Sequence, residues 1–138
     1  MKKRSSLQQQ PHSGKRNKMT IKIFATIIIE NGSDHGKFIV LVDPDKDEAI
    51  LSFLSFKTQK DSALVQHPQC LLQICRETDL DYNLCKKNVH GGGEYYLFST
   101  KGLELEGRST TFGAYSPEEI SPFEKEIKEF FQVEKFFA

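Results

Sequence analysis

A chain of 138 residues is long enough for one ordinary domain and too short for two well-packed ones. Lysine and arginine together number 19, as do aspartate and glutamate, and no stretch approaches the roughly 18 consecutive apolar residues that a membrane span requires. Three cysteines without a hydrophobic leader fit reduced thiols in the cytoplasm.

The overall neutrality averages two unlike segments. Residues 1–18 carry Lys2, Lys3, Arg4, Lys15, Arg16 and Lys18 and no acid, among Ser, Gln, Pro, Asn and Gly. Such a segment buries too little apolar surface to offset the entropy of ordering it, so it reads as a disordered basic tail. Three roles fit it: a solvated leader with Met19 as the true start, a basic arm that touches phosphates, or a targeting peptide. Residues 19–138 hold 13 basic residues against all 19 acidic ones, a formal charge of −6, and are expected to form one folded domain.

Residues 20–30 are rich in β-branched side chains and end at Asn31-Gly32, which predicts a strand and then a turn. Residues 37–43 and 48–56 predict two more strands, paired through the cluster Asp43-Pro44-Asp45-Lys46-Asp47. Residues 62–66 read as a short fourth strand before Pro68, and residues 70–75 as a fifth strand or a helical turn. From 76 to 93 the chain is polar and reads as a long loop with room for a short helix. Residues 94–100 return to strand character, and Leu103 and Leu105 alternate with Glu104 and Glu106 as in a half-exposed strand. Residues 107–115 form a turn. Ser116-Pro117-Glu118-Glu119 and Ser121-Pro122-Phe123-Glu124 are two successive helix starts, and Phe123, Ile127, Phe130 and Phe131 then form one apolar stripe at helical spacing. The sum is a mainly β, α+β domain: a small curved sheet or barrel with a C-terminal amphipathic helix.

Most of the apparent chemical motifs dissolve on inspection. His90-Gly91-Gly92-Gly93 is similar to the oxyanion loop of lipases, but no Gly-x-Ser-x-Gly elbow accompanies it, and the glycine run reads as a flexible turn. Cys70, Cys75, Cys85 and His90 are suitable zinc donors, yet the four residues between the members of each pair exceed a Cys-x-x-Cys loop, so the thiols read as buried or incidental. Asp43, Asp45 and Asp47 begin like a calcium loop, but Glu48 replaces its glycine and Leu54 its final glutamate. No metal or other cofactor is expected. What remains is a set of hydroxyls and cations at two strand–loop junctions: His35 and Lys37 before one strand, and Ser55, Lys57, Thr58 and Lys60 behind the next. Such groups suit a phosphodiester, the cations offsetting charge that grows in the transition state and a hydroxyl orienting the scissile group.

Three segments share the order of parts of a known family. His35-Gly36-Lys37-Phe38-Ile39-Val40-Leu41-Val42-Asp43-Pro44, then 49–59 ending Ser55-Phe56-Lys57-Thr58-Gln59, then Gly113-Ala114-Tyr115-Ser116-Pro117-Glu118-Glu119-Ile120 before the helix, together resemble the PemK/MazF family of toxin endoribonucleases. The likeness covers residues 20–61 and 94–134. It implies an SH3-like barrel, usually dimeric, that cuts single-stranded RNA without metal in the cytoplasm and is neutralised by an antitoxin protein. Gly36-Lys37 stands where the family carries Arg-Pro, so Lys37 offers a point charge in place of a bidentate fork. The family's catalytic hydroxyl maps onto Ser55 or Thr58, and His35, Lys57 and Lys60 fall where RNA would bind. The alternative expectation is a non-catalytic small β-barrel that binds a protein partner, with Phe130, Phe131, Phe136 and Phe137 in its interface.

Overall fold

The computed structural model describes the backbone of residues 2–6 and all of residues 19–138. After the first long strand the Asn-Gly pair turns the chain as its composition dictates. Asn31 and Gly32 both adopt positive φ, 53° and 79°, and Glu30 and Ser33 exchange backbone hydrogen bonds of 3.0 and 3.1 Å across them. The strands are β1 (Lys2–Ser6), β2 (Thr20–Ile27), β3 (Ser33–Asp43), β4 (Glu48–Ser55), β5 (Val89–Phe98), β6 (Gly102–Glu106) and β7 (Lys135–Phe137). They form one curled half-barrel sheet in the order β1-β2-β4-β3-β5-β6-β7. The Asp-Pro-Asp turn closes the β3–β4 hairpin as expected, with Asp43 opposite Glu48 and the Asp43 carboxylate accepting from the Asp45 amide at 3.0 Å. β2 passes beyond this hairpin and pairs with β4 in parallel; β7 is likewise parallel to β6.

Alternation along the strands gives the sheet two working faces. On the inner face Ile21, Ile23, Ile27, Phe38, Val40, Leu51, Phe53, Tyr95, Leu97, Leu103 and Leu105 are buried. The C-terminal helices α3 (Pro117–Ile120) and α4 (Glu124–Phe131) plug this concavity, joined by a 3-10 turn over Ser121–Phe123 that accounts for the two successive helix starts. Ile120, Phe123, Ile127, Phe130 and Phe131 face inward, and Phe131 meets Phe53 edge-on at 4.9 Å between ring centroids. Each such side chain, fully buried, contributes about 1.5–3 kcal/mol.

Several expectations give way here. Residues 62–66 are not a strand, since Ser62–Leu64 is a 3-10 turn; of the two readings for residues 70–75 the helical one holds, within helix α1 (His67–Thr78), which lies on the outer face of β2, β4 and β3. Its Cys70, Leu71 and Ile74 pack on Phe24, Ile39, Leu41 and Ile50. The expected loop 76–93 does hold a short helix, α2 (Tyr82–Lys86), but its last residues belong to β5, which takes in the glycine run. Those glycines are a site of close approach: a Cβ on Gly93 would lie 2.2 Å from the Glu106 carbonyl oxygen, and one on Gly91 would lie 2.3 Å from that of Ala114. Cys70 and Cys75 sit on α1, Cys85 on α2 and His90 on β5. Phe130, Phe131 and Phe136, expected in an interface, are core; Phe137 is exposed. Lys2–Ser6 departs from the disordered tail expected of residues 1–18, because the open edge of β2 supplies backbone partners that need no apolar side chains. The rest of that tail, residue 1 and residues 7–18, lies outside the described residues. Among the described residues no helix is long and apolar enough to cross a membrane.

Candidate functional site

The start of β3 and the end of β4 are neighbours, so the expected site residues do gather at one end of the sheet. The register decides which of them share a face. Ser55 is paired with Gly36 and points inward, whereas Lys37 is paired with Leu54 and points outward. The sheet therefore separates the Lys37 ammonium from the Ser55 hydroxyl.

Ser55 is fully buried and belongs to the framework. Its hydroxyl donates to Asp34 Oδ1 at 2.6 Å and accepts from the Lys57 amide at 3.1 Å, capping the 3-10 turn Phe56–Thr58. Asp34 Oδ2 accepts from the Tyr95 hydroxyl at 2.7 Å and from the Ile28 amide at 3.0 Å. A side chain at Gly36 would collide with both Leu54 and Tyr95, so glycine there leaves room for this network. Burial, and then the Asp34 charge, push the Tyr95 phenol well above its usual pKa, keeping it a donor. Lys57 folds back to donate to the carbonyl oxygens of Ile28 and Ser33, each at 3.2 Å, and sits 3.4 Å from Glu30 and 3.8 Å from Asp34. The Thr58 hydroxyl donates to the Ser55 carbonyl at 2.8 Å. Three of the expected site residues thus hold the turn, while Lys60 stands exposed just past it.

The outer face carries a different constellation. His35 Nε2 and Glu94 Oε1 are 2.8 Å apart, and both side chains are partly exposed. His35 stacks on Tyr96 with ring centroids 4.1 Å apart and meets Phe56 edge-on at 4.7 Å. Lys37 lies two residues along the same face, opposite Glu94 in register. Next to it His67, the first residue of α1, is buried and hydrogen-bonded through Nε2 to the Gly93 carbonyl at 2.8 Å. Burial lowers the His67 pKa, and the Lys37 charge lowers it further. A groove of about 420 Å³ runs between β4 and α1, with Leu54, Thr58, Gln69, Leu72, Arg76 and Glu77 in its walls.

No protein-family model matches this chain, and no curated protein matches it. The function must be argued from the side chains themselves. The structure keeps His35 and Lys37 together on the outer face, turns Lys57 toward Ile28, Ser33 and Asp34 instead, and adds Glu94, Tyr96 and Phe56 around His35, which the sequence reading passed over. Glu94 and Tyr96 are about sixty residues from His35 in sequence, and only the β3–β5 register makes them partners. Chemically, a carboxylate that fixes one imidazole nitrogen leaves the other to exchange a proton, and the aromatic rings around it offer stacking surfaces.

Proposed function

We propose that this protein is a toxin-type endoribonuclease that cleaves single-stranded RNA without metal, with His35 as its proton-transfer group. The observation that carries the reading is the His35–Glu94 hydrogen bond on an open face that also bears Lys37. In this scheme a 2′-hydroxyl of the RNA attacks the adjacent phosphorus while His35, held by Glu94, takes its proton. Lys37 offsets the charge that accumulates on the phosphoryl oxygens. The P–O5′ bond breaks, the leaving oxygen takes a proton from water, and the products are a 2′,3′-cyclic phosphate and a 5′-hydroxyl. Phe56 and Tyr96 give unstacked bases a surface, and the groove with Thr58 and Arg76 continues the strand path. Ser55 supports the turn without touching RNA. The family resemblance adds the rest of the proposal: a homodimer in the cytoplasm, restrained by an antitoxin protein.

The test is cleavage of an end-labelled single-stranded RNA by the full chain. His35→Ala lowers the rate by about 10²–10⁴-fold, Lys37→Ala and Glu94→Gln lower it by smaller factors, and Ser55→Ala cleaves normally below its melting temperature. An RNA left intact by the wild-type chain, or cut equally by His35→Ala, overturns the reading. The second reading, a non-catalytic interaction module, is favoured by one specific observation, the exposed Phe98 and Phe137 on the outer face, and it is the one left standing in that case.

A further inference from the structure

Helix α1 covers the outer face of β2, β4 and β3, and among the described residues that of β6, β7 and the second half of β5 is left bare. Across these three strands the register sets Tyr96, Glu104 and Phe137 in one row, with Phe98 beside Gly102 on one flank and Glu94 beside Glu106 on the other. Phe98 is 45% exposed and Phe137 54% exposed. The two phenylalanines bound a shallow groove of about 220 Å³, floored by Gly102 and bordered by Lys101, Lys135 and Glu104. At its other end Glu94 and Glu106 stand directly opposite each other, an arrangement that costs stability between like charges. Desolvation, and then the Glu94, Glu106 and Glu104 charges, raise the Tyr96 pKa and keep its phenol protonated.

We propose that this bare face docks an extended basic segment of a partner protein. One apolar side chain fills the groove between Phe98 and Phe137, and an arginine or lysine two residues further along lies over Tyr96 toward Glu104 and Glu106. An extended segment suits the face because alternate side chains project to one side, at about the spacing that separates groove from carboxylates. The fit is one of charge as well as shape: a guanidinium relieves the repulsion between facing carboxylates and stacks on an aromatic ring. A docked segment shares Tyr96 with the surface proposed for RNA bases and would compete there, but Glu104, Glu106, Phe98 and Phe137 lie outside the group of side chains assigned to RNA cleavage, so their substitution separates docking from cleavage.

The test measures fluorescence anisotropy of a labelled octapeptide of alternating leucine and arginine, titrated with the full chain. Binding is expected, weakened about tenfold or more by Glu104→Gln with Glu106→Gln and by Phe98→Ser with Phe137→Ser. It should be unchanged by Glu124→Gln with Glu129→Gln on the far side of the molecule, and absent for the leucine–glutamate counterpart. Melting curves of each variant verify that it is folded, and RNA cleavage in the first pair stays at the wild-type rate. Absence of binding, equal loss in the Glu124/Glu129 pair, or equal binding of the acidic peptide overturns the proposal.

Discussion

Asp34 shows how a single buried charge organises one end of the sheet. Its carboxylate is sealed from water yet accepts from Ser55, Tyr95 and the Ile28 amide, with the Lys57 ammonium 3.8 Å away. A buried anion with that many donors is held, and removing any donor leaves polarity uncompensated. Ser55→Ala strips one donor from Asp34 and the acceptor from the Lys57 amide, so urea denaturation should show a loss of about 1–3 kcal/mol. If the variant kept full stability but lost cleavage, the chemistry would belong on the inner face. The sequence marks Ser55 correctly as a hydroxyl at a strand end, but whether it faces the core or the solvent depends on a register that one residue of slip reverses. The role of His35 was hidden for a related reason. It stood out as a phosphate-binding cation, whereas the carboxylate that orients it comes from a strand laid down only after two intervening helices.

At the scale of elements, the hairpin, its Asp-Pro-Asp turn, the Asn-Gly turn and the C-terminal helix are all legible, because each carries its own local chemistry. Helix α1 is not, although its buried His67, Cys70, Leu71 and Ile74 stand at i, i+3, i+4 and i+7. The run Cys70-Leu71-Leu72-Gln73-Ile74-Cys75 is apolar enough to pass for a strand, and Gln73 conceals the stripe because it too is buried. Its amide reaches Ser52 and the Phe53 carbonyl and takes the Thr26 hydroxyl. The same helix brings a pH dependence. His67 titrates below its usual 6.5 in the folded chain because burial disfavours the cation. The unfolded chain therefore binds the proton more readily, so stability is full above pH 6.5 and falls as pH drops from there toward the folded value. Thermal melts between pH 7.5 and 5.5, about one unit either side of the imidazole range, should show this decline, and His67→Gln should flatten it. A wild-type melting temperature that is level over that interval would contradict the assignment.

For the molecule as a whole, the period-two strands followed by one helical stripe are sufficient to announce a curved sheet closed by a helix. The strand order is beyond reach of such reasoning, because no local signal tells β2 to cross the hairpin and lie parallel to β4. Helical spacing places Phe123, Ile127, Phe130 and Phe131 on one stripe against the sheet, but it does not say that Phe136 points inward. Ile120, Phe123, Ile127, Phe130, Phe131, Val133 and Phe136 all complete the inner core. At about 1.5–3 kcal/mol for each large side chain, their sum of about 10–21 kcal/mol is comparable with the whole 5–15 kcal/mol by which domains of this size are stable. Removing residues 117–138 should therefore abolish the cooperative melting transition seen by circular dichroism; a truncated chain that still melted sharply would show the sheet to be self-sufficient.

That dependence has a temporal side. The plug is made after the strands it fills, so a ribosome delivers β2 to β6 with their inner surfaces still wet, and the nascent chain has no finished hydrophobic interior until residues 117–137 have left the exit tunnel. Until then there is an interval in which chaperones, proteases or a binding partner compete for the half-built sheet.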